Sequence, residues 1–304
     1  MINNIPTCED FYTTGRELLD IAWDMTAKLL VNLDEAEYYG IDTKAVSEEY
    51  WRLADRQITT ALAITQQGIE LLIKGRICEV SPFLLIADPP AKWPSQREGE
   101  TVEFSKFRTL DAQDLIQVHD TCSPIQFDSD FVNKFNELRQ TRNIIMHSPS
   151  RSLDVQVGEV IDALLQMHNS LFPNVSWAKV RKNALEFSPN TALESNDFIS
   201  NEINRELSLI IKLLKPSKVA KYFKIDKKNR AYLCPECYYQ ANRDADDFEY
   251  KNARLLSKDK ECRAVYCPVC DLEYIVTREK CLDGDCLGNV MSDLHGMCLT
   301  CGYH

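Results

Sequence analysis

Apolar positions recur at helical spacing through the first two thirds of the chain. Behind Thr7, Glu9 and Asp10, which read as a helix start, the run from Phe11 to about Val31 carries Leu18, Ile21, Ala22, Met25 and Leu29 on one face. A longer helix is expected after Ser47, with Trp51, Leu53, Ile58, Leu62, Ile69, Leu72 and Ile73 preceding Arg76. Residues 77–108 then read as a loop rich in proline (Pro82, Pro89, Pro90, Pro94), long enough to suggest a functional insertion over a cleft or a partner. Helical spacing returns in LDAQDLIQVHD, from about Asp128 to His147, in VQVGEVIDALLQMHNSLF, and from about Asn196 to Leu214. Ser148-Pro149 stops the second of these and Pro216 the last, since proline cannot continue a helix. Strand signals are nearly absent before residue 230, so residues 1–215 are expected to form an all-helical bundle.

The pattern then changes. Between Lys212 and Arg230 stand eight basic residues and one acid, Asp226. Residues 216–230 therefore read as a basic linker. Lys218, Lys221, Lys224, Lys227, Lys228 and Arg230, with Tyr222 and Phe223 among them, are candidates for contact with an RNA backbone and its bases. A solvated linker is the plainer alternative. Residues 231–304 hold short strand-like runs, AYLC, AVYC and LEYIV, set among cysteines.

The cysteines change the picture most. Of twelve, nine fall between Cys234 and Cys301. Such clustering, in a chain whose first residues show neither a basic leader nor an apolar run, reads as metal binding rather than disulfide cross-linking. Cys234-x-x-Cys237 and Cys267-x-x-Cys270 supply four thiolates, the shell that structural zinc prefers. Cys281 and Cys286 with Cys298-x-x-Cys301 supply a second set, so two structural zinc ions are expected. Cys262 is left over, with His295 and His304 as weaker substitutes for a ligand. The region resembles tandem zinc ribbons at the level of fold.

No stretch has the roughly 18 or more apolar residues of a membrane span, and the expected location is the cytoplasm. A net charge of −11 argues against indiscriminate coating of nucleic acid but leaves room for a local basic surface.

One helix carries a conflict. Its apolar seam runs Phe131, Phe135, Leu138, position 142, Ile145, and position 142 is arginine. A buried guanidinium needs an anion, a cavity or an interface. Asn143 and His147, four residues apart, share the adjoining face. The plain reading is that Arg142 caps carbonyls and His147 favours the negative end of the helix dipole. His119 and His168 lie in helical patterns without a recognisable partner and read as core residues.

The stretch RNIIMH, on a helix that ends in a break, resembles the Arg-polar-x3-His signature of the HEPN family (higher eukaryote and prokaryote nucleotide-binding domains). GIELLIKG, residues 68–75, resembles that family's helix bearing a Glu and, four residues on, a Lys, here Glu70 and Lys74. The likeness covers about residues 45–172. It implies a mainly α fold, a HEPN-like bundle followed by a small β-rich double zinc-ribbon domain. It further implies a homodimeric endoribonuclease that needs no metal for catalysis. Arg142, Asn143 and His147 would form the catalytic set at a dimer cleft, with Glu70 and Lys74 supporting. The resemblance extends to a toxin or phage-defence effector held in check by a protein partner. Two other readings stay open: a non-catalytic dimerisation module presenting zinc ribbons to nucleic acid or protein, and a regulatory subunit of an ATPase or nucleotidyltransferase.

Overall fold

The computed structural model of the chain describes residues 1–94, 101–147, 154–193, 197–241 and 250–304. It is mainly helical, with a small antiparallel sheet toward the carboxyl end. The chain divides into two compact units, one of residues 1–26 and 49–171, the other of 27–48 and 172–304.

The first unit opens with strand β1 (Ile2–Asn3) and helix α1 (Cys8–Tyr38). A reciprocal cap starts α1: the Asp10 amide donates to Thr7 Oγ1 (3.2 Å) and the Thr7 amide donates to the Asp10 carboxylate (2.8 Å). Helix α2 (Thr43–Val80), strand β2 (Val102–Glu103) and helices α3 (Ala112–Cys122), α4 (Ser129–His147) and α5 (Val157–Leu171) follow. β1 and β2 pair in parallel over two residues each, too short a ladder to leave an alternating pattern in the sequence.

Glycines choose which face of α1 is buried. A Cβ at Gly15 would stand 2.6 Å from Leu72, and one at Gly68 would stand 3.0 Å from the Gly15 carbonyl oxygen. Gly75 likewise leaves room for the Tyr12 ring. The backbones of α1 and α2 therefore approach closely, and the buried stripe runs through Tyr12, Leu19, Ala22 and Trp23. The expected face is corrected accordingly, since Ile21 is 48% exposed.

Residues 77–80 complete α2, and the described parts of the expected loop fold into single 3-10 turns at Pro82–Leu85, Pro90–Lys92 and Phe104–Lys106. Leu85, Phe104 and Phe107 anchor them in the core. The Ser148-Pro149 stop lies outside the described residues. His119 and His168 are both buried, His119 stacked on Phe127 at 3.9 Å between centroids and paired with Asp120 at 2.8 Å.

In the second unit Asp42 Oδ1 accepts from the Lys44 amide (3.1 Å), which starts α2 a turn before Ser47. Helix α6 (Trp177–Glu186), capped by Ser176, has no counterpart in the sequence reading. It packs on α7 (Phe198–Leu213) through a buried, two-pronged ion pair, Arg181 to Glu206, at 2.7 and 3.1 Å. Asn196, the expected start of that helix, lies outside the described residues. Beyond Leu214, Pro216 opens a further helix, α8 (Pro216–Phe223), so the expected linker begins as structure. Strand β3 (Ala231–Tyr232), helix α9 (Pro235–Ala241) and strands β4 (Ala253–Leu255), β5 (Ala264–Cys267), β6 (Leu272–Thr277) and β7 (Met291–Ser292) complete the chain. The sheet order is β3-β4-β5-β6-β7, antiparallel throughout.

Two outcomes test this packing. Gly68→Val should destabilise the protein by about 2 kcal/mol through overpacking, despite the better helix propensity of valine, and a rise in melting temperature would contradict the close approach. Burial, assisted by Arg16, pushes the His168 pKa down from 6.5 to about 3, so the ring is neutral in the fold. The unfolded chain then binds the extra proton first as pH falls. The contribution of neutral His168 is complete above pH 6.5 and is lost toward about 3. Urea midpoints of the wild type should therefore fall more steeply across that window than those of His168→Met.

Candidate functional site

Residues that the sequence singles out in the first unit converge on one polar cavity of about 400 Å³. Glu70 and Lys74 reach it from α2, and Arg142 and Asn143 from α4. Glu70 is only 8% exposed and its Oε1 accepts from the Gln66 amide, so it is not one half of a solvated surface pair. The Lys74 ammonium donates to Thr109 Oγ1 at 3.1 Å. Burial holds its pKa below the ordinary lysine value, while the charges of Glu70 and Asp111 act in the opposite sense.

On α4, Phe131, Phe135 and Leu138 are buried, whereas Arg142 and Ile145 are half-buried, so the seam opens where the arginine stands. Arg142 Nη1 donates to Asn143 Oδ1 at 3.1 Å. Asn143 is thus placed to orient the arginine. His147, the last residue of α4, is exposed and does not line the cavity.

Sequence reasoning missed six members of the wall, Leu110, Ala112 and Gln113 among them. Thr109 and Asp111 come from the segment before α3, and Arg139 comes from α4. Arg139 carried a readable signal, since it precedes Arg142 by three residues and shares its face. Thr109 carried none, because its place depends on how the preceding segment docks.

In the second unit the cysteines form two groups, each able to hold a metal ion: Cys234, Cys237, Cys267 and Cys270, and Cys281, Cys286, Cys298 and Cys301. Sulfur separations test the fit. Cys234 to Cys270 is 3.4 Å, Cys237 to Cys267 is 3.9 Å, Cys281 to Cys301 is 3.7 Å and Cys286 to Cys298 is 3.9 Å. A tetrahedron with metal–sulfur bonds near 2.3 Å has edges of about 3.8 Å, whereas a disulfide would bring two sulfurs to about 2.05 Å. The observed spacings match the tetrahedron. Outer contacts orient the sulfurs: the Tyr274 hydroxyl donates to Cys270 Sγ (3.4 Å) and the Gly288 amide to Cys286 Sγ (3.2 Å). Cys262, His295 and His304 stand outside both groups.

The basic run is largely engaged. Tyr222 and Phe223 are buried, so neither ring offers a face for base stacking, which corrects that expectation. Lys218 and Lys221 lie over the Tyr222 ring, each 5.9 Å from its centroid, Lys224 pairs with Asp271 at 3.2 Å, and Arg230 lies over Tyr232 at 5.6 Å. Lys227 donates to the carbonyls of Lys212 and Leu214, closing α7. Lys221, Lys228 and Arg230 keep exposed side chains.

Comparison of the chain with protein-family models, curated proteins and solved structures finds no match. Among the described residues, no helix is long and apolar enough to cross a membrane.

Elemental analysis of purified protein should find two metal equivalents per chain, with Cys267→Ser and Cys298→Ser each removing one. Metal-free protein with unchanged near-ultraviolet circular dichroism would refute both sites.

Proposed function

We propose that the chain is a HEPN-type endoribonuclease, and the observation that carries the proposal is the convergence of Glu70, Lys74, Arg142 and Asn143 on one cavity. These are four of the five residues that the likeness to the HEPN signature singles out, and they come from two helices far apart in sequence.

The reaction is attack of a ribose 2′-hydroxyl on the adjacent phosphodiester. A bond forms between the 2′-oxygen and phosphorus, the bond to the 5′-oxygen breaks, and the products are a 2′,3′-cyclic phosphate and a 5′-hydroxyl. His147 takes the proton from the 2′-oxygen or returns one to the leaving 5′-oxygen, work worth about 10²–10⁴-fold. Arg142, oriented by Asn143, stabilises the charge gathering on the phosphoryl oxygens. No metal takes part in this step. Because His147 stands outside the cavity of its own chain, the active form is a homodimer in which a second copy brings the histidine to the cleft.

The two cysteine groups hold structural zinc, and their ribbons with exposed Lys221, Lys228 and Arg230 recruit RNA or a regulatory partner. The setting is the cytoplasm, in a toxin or antiviral defence role that needs restraint. The placement of His147 equally favours a second reading, a non-catalytic HEPN module that binds through the same cavity.

Cleavage of labelled transfer and messenger RNA separates the two. The nuclease reading expects cutting in EDTA with cyclic phosphate ends, lowered about 10²-fold or more by Arg142→Ala and by His147→Ala. Cutting that survives both substitutions, or that leaves 3′-hydroxyl ends, would defeat it.

A further inference from the structure

Three cations, Lys74, Arg139 and Arg142, line the cavity of the first unit, and among the described residues none of them is in an ion pair. Among the described residues Arg139 has no hydrogen-bond or ion-pair partner, and its Nε is buried without an acceptor. Lys74 is bonded to a hydroxyl and Arg142 to a side-chain amide. The two carboxylates in the wall are already engaged, Glu70 by Gln66 and Asp111 by the Arg108 guanidinium. Half-buried guanidinium groups without counter-charge are costly, and the cost falls when an anion enters.

The first turn of α3 adds to the same demand. Asp111 sits at its N-cap position but makes no capping bond, because its carboxylate is turned to Arg108. The amides that begin this eleven-residue helix, at Ala112 and Gln113 of the cavity wall, thus receive no capping bond from the Asp111 side chain. Thr109 and Asn143 supply neutral polar groups between the cations.

Charge then narrows the ligand. Lys74, Arg139 and Arg142 outnumber Glu70, the one acid of the wall not in an ion pair, by two. A phosphodiester carries about one negative charge, whereas a phosphate monoester carries about −1.5 to −2 near neutrality. We propose that this cavity is a phosphate-monoester site, gripping the terminal phosphate of a nucleotide or of a nucleic-acid end through Lys74, Arg139 and Arg142. Arg139 lies outside the HEPN-like signature, and the site requires no cleavage. It gives the cavity a role in either functional reading, as a sensor of phosphorylated ends or as the pocket that sets where a strand is held.

Binding to DNA oligonucleotides, which lack the 2′-hydroxyl, keeps this proposal separate from the nuclease reading. A 5′-phosphorylated oligonucleotide should bind about tenfold more tightly than its 5′-hydroxyl twin, roughly one charge-assisted hydrogen bond, and Arg139→Gln should abolish the difference. Arg139→Lys should restore part of it. Gln113→Glu provides the same test on an exposed side chain with no folding role, placing a carboxylate where the phosphate enters. AMP compared with adenosine identifies the source: competition by AMP marks a free nucleotide, and its absence marks a strand end. Equal affinity for the two oligonucleotides, or a preference that persists in both Arg139→Gln and Gln113→Glu, would overturn the proposal.

Discussion

The contact between α1 and α2 at near-backbone distance sets the first unit. Gly68, Leu72 and Gly75 occupy one side of α2, and at about 100° per residue they fix its rotation about its own axis. On that wheel Gln66 and Glu70 fall about 140–180° from the glycines and Lys74 about 100–120°, so all three point away from the crossing. A shift of the seam by one residue would turn Glu70 and Lys74 away from the cavity. α2 is thus buried against α1 on one side and builds a polar wall on the other. That arrangement explains how a helix interior can carry a glutamate at 8% exposure with no ion-pair partner among the described residues. It also explains why Lys74 feels burial more than its acidic neighbours.

The second unit is organised differently. Its strands run from two to six residues, too short to build a core by alternation. Cysteine groups gather there instead: Cys234 leads into α9, Cys267 closes β5, and the later group brings Cys281 and Cys286 around Cys298. Metal bound at such sites would add folding free energy, about 10–16 kcal/mol for structural zinc in small peptides, larger than the stability of many whole domains. The helical part of the unit joins in through polar contacts, Ser200 to the Cys237 carbonyl and Asn252 to the Asn204 carbonyl, the second at 2.9 Å. Buried Arg181 and Glu206 hold α6 on α7 beside them.

What the sequence revealed follows from the range of the physics involved. Local signals were legible: the Thr7–Asp10 cap, the start of α4 at Asp128, the cysteine knuckles and the seam of Phe131, Phe135 and Leu138. Signals that depend on a distant partner were not. Ile21 looked like core because apolarity was read without the glycines that place the crossing. Tyr222 and Phe223 looked like stacking groups because the basic residues around them hid the amphipathic helix α8. Glu70 and Lys74 were named only through the family likeness, since nothing in the local sequence shows that Thr109 and Asp111 come to face them. The strands of two or three residues, β1, β2, β3, β4 and β7, are too short to have a period at all.

The cavity also reconciles an acidic chain with an anionic ligand. A net charge of −11 repels nucleic acid at long range, so attraction must come from a place where cations are concentrated and their own counter-charges are occupied elsewhere. Arg108 draws Asp111 aside and Gln66 holds Glu70, which leaves Lys74, Arg139 and Arg142 facing one space. Within about one Debye length, some 8–10 Å at ordinary salt, those three charges outweigh the distant acids. Recognition by such a site is selective by construction: a neutral or weakly charged group gains little there, and an indiscriminate polyanion is turned away by the remainder of the surface. His147 stands outside the cavity lining, on the exposed end of the helix that supplies two of the three cations, where a second molecule can meet it.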